Sequence, residues 1–190
     1  MTELETEMAQ RSVVLVIMDG VGRGDGGPGD AVAKADMPVL KGLLETCPHV
    51  FLKAHGTAVG LPSDGDIGNS EVGHNTMGCG QVYNQGAKLV NESIATSRMW
   101  SGSTWRELVG NCLEKNSTMH FIGLLSDGNV HSNTEHLKAM LLQCVKEGIK
   151  RARVHILLDG RDVPPTSALG YIDDLEQTLA ECRTPVWTGR

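Results

Sequence analysis

Three runs of apolar residues have the pattern of strands buried on both faces. They are residues 12–18 (SVVLVIM), Met119–Leu125 and residues 154–158 (VHILL), and each is followed by Asp-Gly, in the second case after one serine. A continuous apolar run of this length, rich in branched side chains, is typical of a strand in a parallel sheet whose two faces are covered. The runs therefore predict three strands of such a sheet.

Amphipathic helical patterns alternate with these runs. Asp36 is a candidate cap for a short helix that ends before Pro48, residues 104–107 (TWRE) form a capping box, and Gly148 ends a third pattern. The apolar positions of the four patterns are, in chain order, Leu40, Leu43 and Leu44; Trp105, Leu108, Val109, Cys112 and Leu113; Leu137, Met140, Leu141, Cys144 and Val145; and Leu169, Ile172, Leu175 and Leu179. Alternating strands and helices predict an α/β fold, in which ligands bind at the carboxyl ends of the strands.

A long glycine-rich stretch, residues 56–86, interrupts this alternation and contains the sequence GNSEVGHN at residues 68–75. A connection of that length inside a compact domain is usually functional or a domain crossover. Ser70 does not fit the GxSxG elbow of the α/β-hydrolases. It either caps a helix, with Glu71 in the first turn, or serves as a nucleophile at a helix N-terminus, activated by a metal ion. The two interpretations are compatible.

Composition narrows the classes of partner. The chain has 17 basic and 23 acidic residues and a net charge of −6, without a cluster of Lys and Arg, which disfavours nucleic acid and anionic membranes. The longest apolar run is too short to span a bilayer, and the first ten residues lack the pattern of a secretory signal. Five cysteines without a CxxC pair favour free thiols in a reducing compartment. We therefore expect a soluble, cytoplasmic protein with no nucleic-acid or membrane partner.

Polar residues that follow the predicted strands are candidates for a site. Asp19 fits equally well as a turn residue and as an oxygen ligand of a divalent cation. His131 either bonds to loop backbone or donates to a substrate phosphate or carboxylate. Arg161 and Asp162 suit a small phosphorylated hydroxy acid, although a surface ion pair would use the same residues. The GxGxxG match at residues 22–27 is weak, because the glycines that follow would break the helix that must hold a pyrophosphate.

Four ordered segments resemble the motifs of the cofactor-independent phosphoglycerate mutases, a family of the alkaline phosphatase superfamily of metalloenzymes. The segments are residues 16–22 (VIMDGVG), 68–75 (GNSEVGHN), 126–132 (SDGNVHS) and 158–162 (LDGRD). The resemblance runs from about residue 12 to about residue 182. It implies an α/β chain in which a parallel-sheet, alkaline-phosphatase-like segment precedes part of a second α/β domain.

The resemblance also implies an activity and a site. The family interconverts 3-phosphoglycerate and 2-phosphoglycerate through a phosphoserine intermediate, with two Mn²⁺ ions per full-length enzyme, Co²⁺ or Mg²⁺ as substitutes, and no 2,3-bisphosphoglycerate. Ser70 matches the nucleophile, Asp19 and Ser70 match ligands of one metal ion, and His131, Arg161 and Asp162 match residues that bind the substrate. The glycerate intermediate stays bound, reorients and takes the phosphoryl group back. Family members are typically monomeric.

The chain departs from the family in length. Family members are much longer, their phosphatase-like domain is split around a transferase-like domain, and the other metal ligands and a catalytic lysine lie in the far part. Residues 1–80 are thus expected to be the first segment of the metal domain, and residues 81–190 an incomplete substrate domain. We expect this truncated chain to be inactive alone, with poor affinity for manganese. The alternatives are a non-catalytic module that binds a phosphorylated acid through His131 and Arg161 and, third, a nucleotide-binding domain.

Overall fold

A computed structural model describes residues 12–183 and divides the chain into two compact units, with the boundary in the sequence between Phe51 and Leu52. The first unit contains helices α1 (Ala31–Lys34) and α2 (Pro38–Thr46). The second contains a 3₁₀ turn (Gly56–Val59) and then, in chain order, α3 (Ser70–Cys79), α4 (Ala87–Ala95), α5 (Arg98–Ser101), α6 (Ser103–Glu114), β1 (Met119–Leu125), α7 (Thr134–Lys146), β2 (Ala152–Leu158) and α8 (Ala168–Arg183). The domain boundary after residue 80 stays a prediction, since it concerns how the longer family members are organised.

The first predicted strand is wrong for this structure. Residues 12–18 form no strand, and their side chains are exposed, with Val13 92% accessible. A strand is stable only where a neighbour satisfies its backbone groups, and the described residues of the first unit contain no strand to pair with. The helix that follows was correctly predicted, but it begins at Pro38 with Met37 as an N-cap that makes no side-chain bond, so Asp36 is not its cap.

The second and third predicted strands are confirmed. Strands β1 and β2 pair in parallel with Met119 opposite Ala152 and Leu125 opposite Leu158. Because the strands run in the same direction, the loops that follow Leu125 and Leu158 leave the same edge of the sheet. This edge is where candidate residues of the sequence come together.

The main core of the second unit lies between the sheet and three helices. Its buried side chains come from α6, β1, α7 and α8 and the turn before β2, and they are Trp105, Val109, Cys112, Met119, Leu125, Leu141, Cys144, Ile149, Leu175 and Cys182. The apolar face predicted for α7 is confirmed in full, since all five of its residues belong to this core or pack against it. The capping box predicted for α6 is not formed, because Gly102 occupies the N-cap position without a side-chain bond.

Only one face of the two-stranded sheet is covered. Ile122 and Leu157 point away from the core and are 76% and 59% accessible, although the pattern predicted burial on both faces. None of the helices in the described part of the chain is long and apolar enough to cross a membrane. All five cysteines are free thiols, as expected.

Candidate functional site

Ser70 is the first residue of helix α3 and is exposed. Asn69, and not Ser70, is the N-cap: its side-chain oxygen accepts from the Val72 N–H at 2.9 Å. The prediction of Ser70 as a capping serine is therefore wrong. Glu71 lies in the first turn, as expected, and His74 donates from Nδ1 to the Ser70 carbonyl oxygen at 2.6 Å.

The loop before Ser70 is held by close backbone approach. The Gly68 N–H donates to His55 Nδ1 at 2.8 Å, and a Cβ on Gly68 would collide with the carbonyl oxygen of Ala54. Only glycine fits there without a shift of the backbone. Gly73 has open space around its Cα, so crowding does not explain the second glycine of the motif.

The buried side chain of Gln85 anchors helix α3, a role that the sequence did not reveal. Its side chain is 4% accessible, and its amide nitrogen lies 2.8 Å from the Val59 carbonyl oxygen, 3.2 Å from that of Val72 and 3.1 Å from Thr76 Oγ1. These contacts tie the first turns of α3 to the 3₁₀ turn. Ser70 is thus carried by a helix with a buried polar anchor.

The strand-end loops are joined by Ser126 and Asp159, which sequence reasoning also missed. Ser126 is buried and donates from Oγ to Asp159 Oδ2 at 2.6 Å, while Asp159 Oδ1 accepts from the N–H groups of Arg161 and Asp162 at 2.9 and 3.2 Å. The Ser126 hydroxyl and then these backbone donors lower the pKa of Asp159 to about 2. The carboxylate therefore shapes the backbone of the Arg161-Asp162 turn. The only sequence signal for it was the Asp-Gly at each strand end.

The three predicted substrate residues lie on these two loops. His131 Nε2 is 3.9 Å from Asp162 Oδ2, and the His131 side chain is 65% accessible whereas that of Asp162 is 14% accessible. Arg161 is exposed next to Asp162 in the chain. A Cβ on Gly128 would lie 2.8 Å from Asp162 Cβ, so the two loops pack closely. The structure thus brings an imidazole, a carboxylate and an arginine to one edge of the sheet.

An apolar cavity of about 310 Å³ lies beside His131. Phe121 and Met140 line it, and His136 donates from Nε2 to Asn91 Oδ1 at 2.6 Å at its wall. Burial lowers the pKa of His136.

A buried carboxylate connects the Ser70 side of the site to the His131 loop. Asp66, 8% accessible, accepts from Asn129 Nδ2 at 2.6 Å. Asp66 precedes α3 and Asn129 precedes His131, so this contact joins the two stretches that carry the predicted nucleophile and a predicted substrate residue.

A metal centre is not completed by the described residues. Asp19 is exposed in a turn of the first unit that closes with the Val21 N–H on the Met18 carbonyl oxygen at 3.2 Å. Among residues 12–183, no three His, Cys, Asp or Glu side chains converge as a metal site. The described residues therefore do not form a complete site for a divalent cation by themselves.

The glycine-rich segment at residues 22–27 has no dinucleotide-binding geometry. Helix α1, which follows it, is four residues long, and Asp30 caps it by accepting from the Ala33 N–H at 2.9 Å and from the Gly26 N–H at 3.0 Å. A carboxylate that occupies these donors would repel a pyrophosphate. This agrees with the weak match in the sequence.

Comparison with known proteins gives the family. The family profile described as "BPG-independent PGAM N-terminus" matches residues 90–190. A probable 2,3-bisphosphoglycerate-independent phosphoglycerate mutase of Leptospira interrogans is 50% identical over 175 residues, which are 91% of this chain and 32% of the relative. The 2,3-bisphosphoglycerate-independent phosphoglycerate mutase of Trypanosoma brucei brucei is 44% identical over 177 residues, or 93% of this chain and 32% of the relative.

A solved structure of a phosphoglycerate mutase supports the same family assignment. A crystal structure of Leishmania mexicana phosphoglycerate mutase at low cobalt concentration superposes with a TM-score of 0.81 at 44% identity, covering 92% of this chain and 32% of that one. The chain spans about a third of the length of these relatives. It therefore belongs to the 2,3-bisphosphoglycerate-independent phosphoglycerate mutases, an isomerase family, and corresponds to their N-terminal portion.

Proposed function

We propose that this chain forms part of a phosphoglycerate mutase that interconverts 3-phosphoglycerate and 2-phosphoglycerate, a step of glycolysis and gluconeogenesis. The observation that carries the proposal is the convergence of His131, Asp162 and the adjacent Arg161 on two loops at the carboxyl edge of the sheet. Arg161 offers a planar fork for phosphate or carboxylate, His131 donates to the same anion, and Asp162 accepts from a hydroxyl group. A small phosphorylated hydroxy acid has all three complementary groups.

Ser70 is the proposed nucleophile. Its Oγ attacks the phosphorus of 3-phosphoglycerate, a bond to the C3 oxygen breaks, and the serine proton is transferred to that oxygen, which leaves phosphoserine and glycerate. Glycerate reorients, its C2 hydroxyl attacks the phosphoserine, and the hydroxyl proton returns to Ser70. The N-terminus of α3 favours the negative charge of the phosphoserine. The substrate loops hold glycerate while it turns.

We infer that metal ions belong to the complete enzyme. Asp19 and Ser70 would be oxygen ligands of one divalent ion, of Mn²⁺ or of Co²⁺ or Mg²⁺ in its place. No three His, Cys, Asp or Glu side chains converge as a metal site among the described residues, so we expect weak metal affinity and no turnover by the chain alone. This favours a second candidate function, a module that binds the phosphorylated acid without converting it.

Binding and turnover are tested separately. Isothermal titration with 3-phosphoglycerate should show binding that Arg161→Ala weakens at least tenfold, as expected for loss of a charged hydrogen-bonding partner. Arg153→Ala is the matched control, because Arg153 is an exposed arginine within β2 and away from the carboxyl edge. Equal affinities of the two variants would contradict the proposed site.

A coupled assay of 3-phosphoglycerate conversion, with Mn²⁺ or Co²⁺ and without bisphosphoglycerate, tests catalysis. We expect no conversion by the chain alone. Conversion that disappears in Ser70→Ala would confirm the nucleophile and contradict the claim that the chain lacks essential parts.

A further inference from the structure

We propose that Asp66 and Asn129 form a positioning pair that sets the His131 loop (residues 126–133) against the Ser70 segment (residues 56–70). The pair would keep the proposed nucleophile and a proposed substrate residue at a fixed separation. The inference rests on the proposed roles of Ser70 and His131 and adds two residues to which no role has been given.

Asp66 is anchored in its own segment before it reaches across. Its Oδ2 accepts from Ser63 N at 2.6 Å and Ser63 Oγ at 2.7 Å, and its backbone carbonyl accepts from the Gly56 N–H at 3.0 Å. Burial opposes ionisation, but the hydrogen bonds from Ser63 and Asn129 outweigh it and lower the pKa of Asp66. The buried group is therefore a carboxylate with one oxygen turned toward the His131 loop.

Asn129 is placed by an unusual backbone and by a second amide. Its φ of +61° is a left-handed conformation that asparagine tolerates better than most side chains. Its Oδ1 accepts from Asn133 Nδ2 at 2.6 Å, and Asn133 Oδ1 accepts from the Glu135 N–H at 2.8 Å, which caps α7. Every donor in this series points toward the Asp66 carboxylate, so the orientation of each amide is fixed.

The contact matters because of where it lies. Residues 66 and 129 are 63 positions apart in the chain, and they come shortly before Ser70 and His131 respectively. Phosphoryl transfer depends on the separation of reacting groups to within about 1 Å. The hydrogen bond between Asn129 and Asp66 joins the two stretches that carry Ser70 and His131, and it therefore limits the separation of these two residues.

The pair can be tested by exchanging its hydrogen-bond donor and acceptor between the two positions. Asp66→Asn places an amide nitrogen opposite the amide nitrogen of Asn129, and Asn129→Asp places two carboxylates face to face. In the double variant, the new amide at position 66 donates to the new carboxylate at position 129. The amide oxygen still accepts from Ser63, and the carboxylate still accepts from Asn133. Asp64→Asn is the matched control, because Asp64 bonds only within its own segment, to Thr57 N and Oγ1 at 3.1 and 2.5 Å.

Hydrogen–deuterium exchange of the whole chain is the first readout. We expect Asp66→Asn to speed exchange in residues 126–133 about tenfold, as for the loss of a hydrogen bond to a charged group, and Asn129→Asp to do the same in residues 56–70. The double variant should return both rates to within about twofold of the original chain. Unchanged exchange across the contact in the single variants, or a double variant as fast as the single variants combined, would overturn the proposal.

The affinity for 3-phosphoglycerate is the second readout and separates the pair from general stability. If the pair positions His131, each single variant should bind more weakly than Asp64→Asn at equal folded fraction, and the double variant should recover. Single variants that bind as tightly as the control would overturn the positioning role. A parent chain that does not bind 3-phosphoglycerate would instead contradict the proposed function, and the exchange experiment would still decide whether the two segments are joined.

Discussion

Replacing Gln85 with leucine should loosen the helix that carries Ser70. The substitution keeps the side-chain size but removes a buried amide that contacts the Val59 and Val72 carbonyl oxygens and Thr76 Oγ1. The Val72 carbonyl keeps a bond from the Thr76 hydroxyl at 2.9 Å, whereas the buried Val59 carbonyl loses its side-chain donor. The amide nitrogen of Gln85 carries two hydrogens and can donate to only two of these three acceptors at one time, so the substitution removes two hydrogen bonds.

The magnitude follows from those contacts. The lost contact to Thr76 costs about 1 kcal/mol, and the buried Val59 acceptor left without a donor costs about 1–2 kcal/mol, so the total is roughly 2–3 kcal/mol. That is a large share of the 5–15 kcal/mol by which a domain is typically stable. With a urea dependence of about 2 kcal/mol per M, the unfolding midpoint should fall by roughly 1 M.

Urea unfolding followed by circular dichroism measures this change, with Gln143→Leu as the control. Gln143 bonds only to Glu147 on the same helix, at 2.8 Å, so its replacement should cost less than about 0.5 kcal/mol. A Gln85→Leu midpoint within about 0.3 M of the control, a small part of the expected shift of roughly 1 M, would refute the assignment of Gln85 as the anchor of α3.

Further changes test other parts of the second unit. Gly60→Ala should destabilise the fold by about 1–3 kcal/mol, because the φ of Gly60 is +85° and a Cβ there would collide with the Tyr83 carbonyl oxygen. Gly78→Ala should stabilise the fold by about 0.5–1 kcal/mol, because Gly78 lies within α3 and has open space around it. The melting temperatures of the two variants should therefore shift in opposite directions. Leu141→Ala should cost about 2–5 kcal/mol in urea unfolding, because its side chain is fully buried. The pKa of Asp159 is lowered to about 2, so its carboxylate stabilises the fold at pH values above its ordinary pKa near 3.8, and this stabilisation is lost as the pH falls toward 2. Urea unfolding midpoints measured from pH 2 to 6 should therefore fall less steeply with decreasing pH in Ser126→Ala than in the original chain.

Elements with strong local periodicity could be predicted from the sequence. Helix α7 has five apolar positions at helical spacing, and all of them meet the core; β1 and β2 are the apolar runs that were expected to pair in parallel. In each case the partner surface lies within the same unit. The residues proposed to bind the substrate were identified by their resemblance to family motifs and by their position at strand ends, and the structure places His131 and Asp162 near each other.

Predictions failed where the structure depended on a pairing strand, on residues far away in the chain, or on the choice between two adjacent residues of similar propensity. Residues 12–18 carry the pattern of a buried strand, but an apolar pattern does not specify which strand should lie beside it. Asn69 and Ser70 are both good N-cap residues, and the choice between them depends on where α3 begins. Gln85 and Asp66 could not be identified as anchors, because their partners include residues 26 and 63 positions away.

The three Asp-Gly pairs that follow the apolar runs show how far a local pattern determines a side chain's role. Asp159 accepts from Ser126 and from two backbone N–H groups, whereas Asp127 accepts from the Tyr171 hydroxyl at 2.5 Å and thereby raises the pKa of Tyr171 to about 12. Asp19 lies in a turn of the other unit. The same dipeptide after three similar runs thus shapes the Arg161-Asp162 turn, binds a helix residue, or forms an exposed turn. What differs is the set of distant residues that each carboxylate contacts, so the sequence could identify candidate residues, whereas the contacts of each carboxylate depend on the tertiary fold.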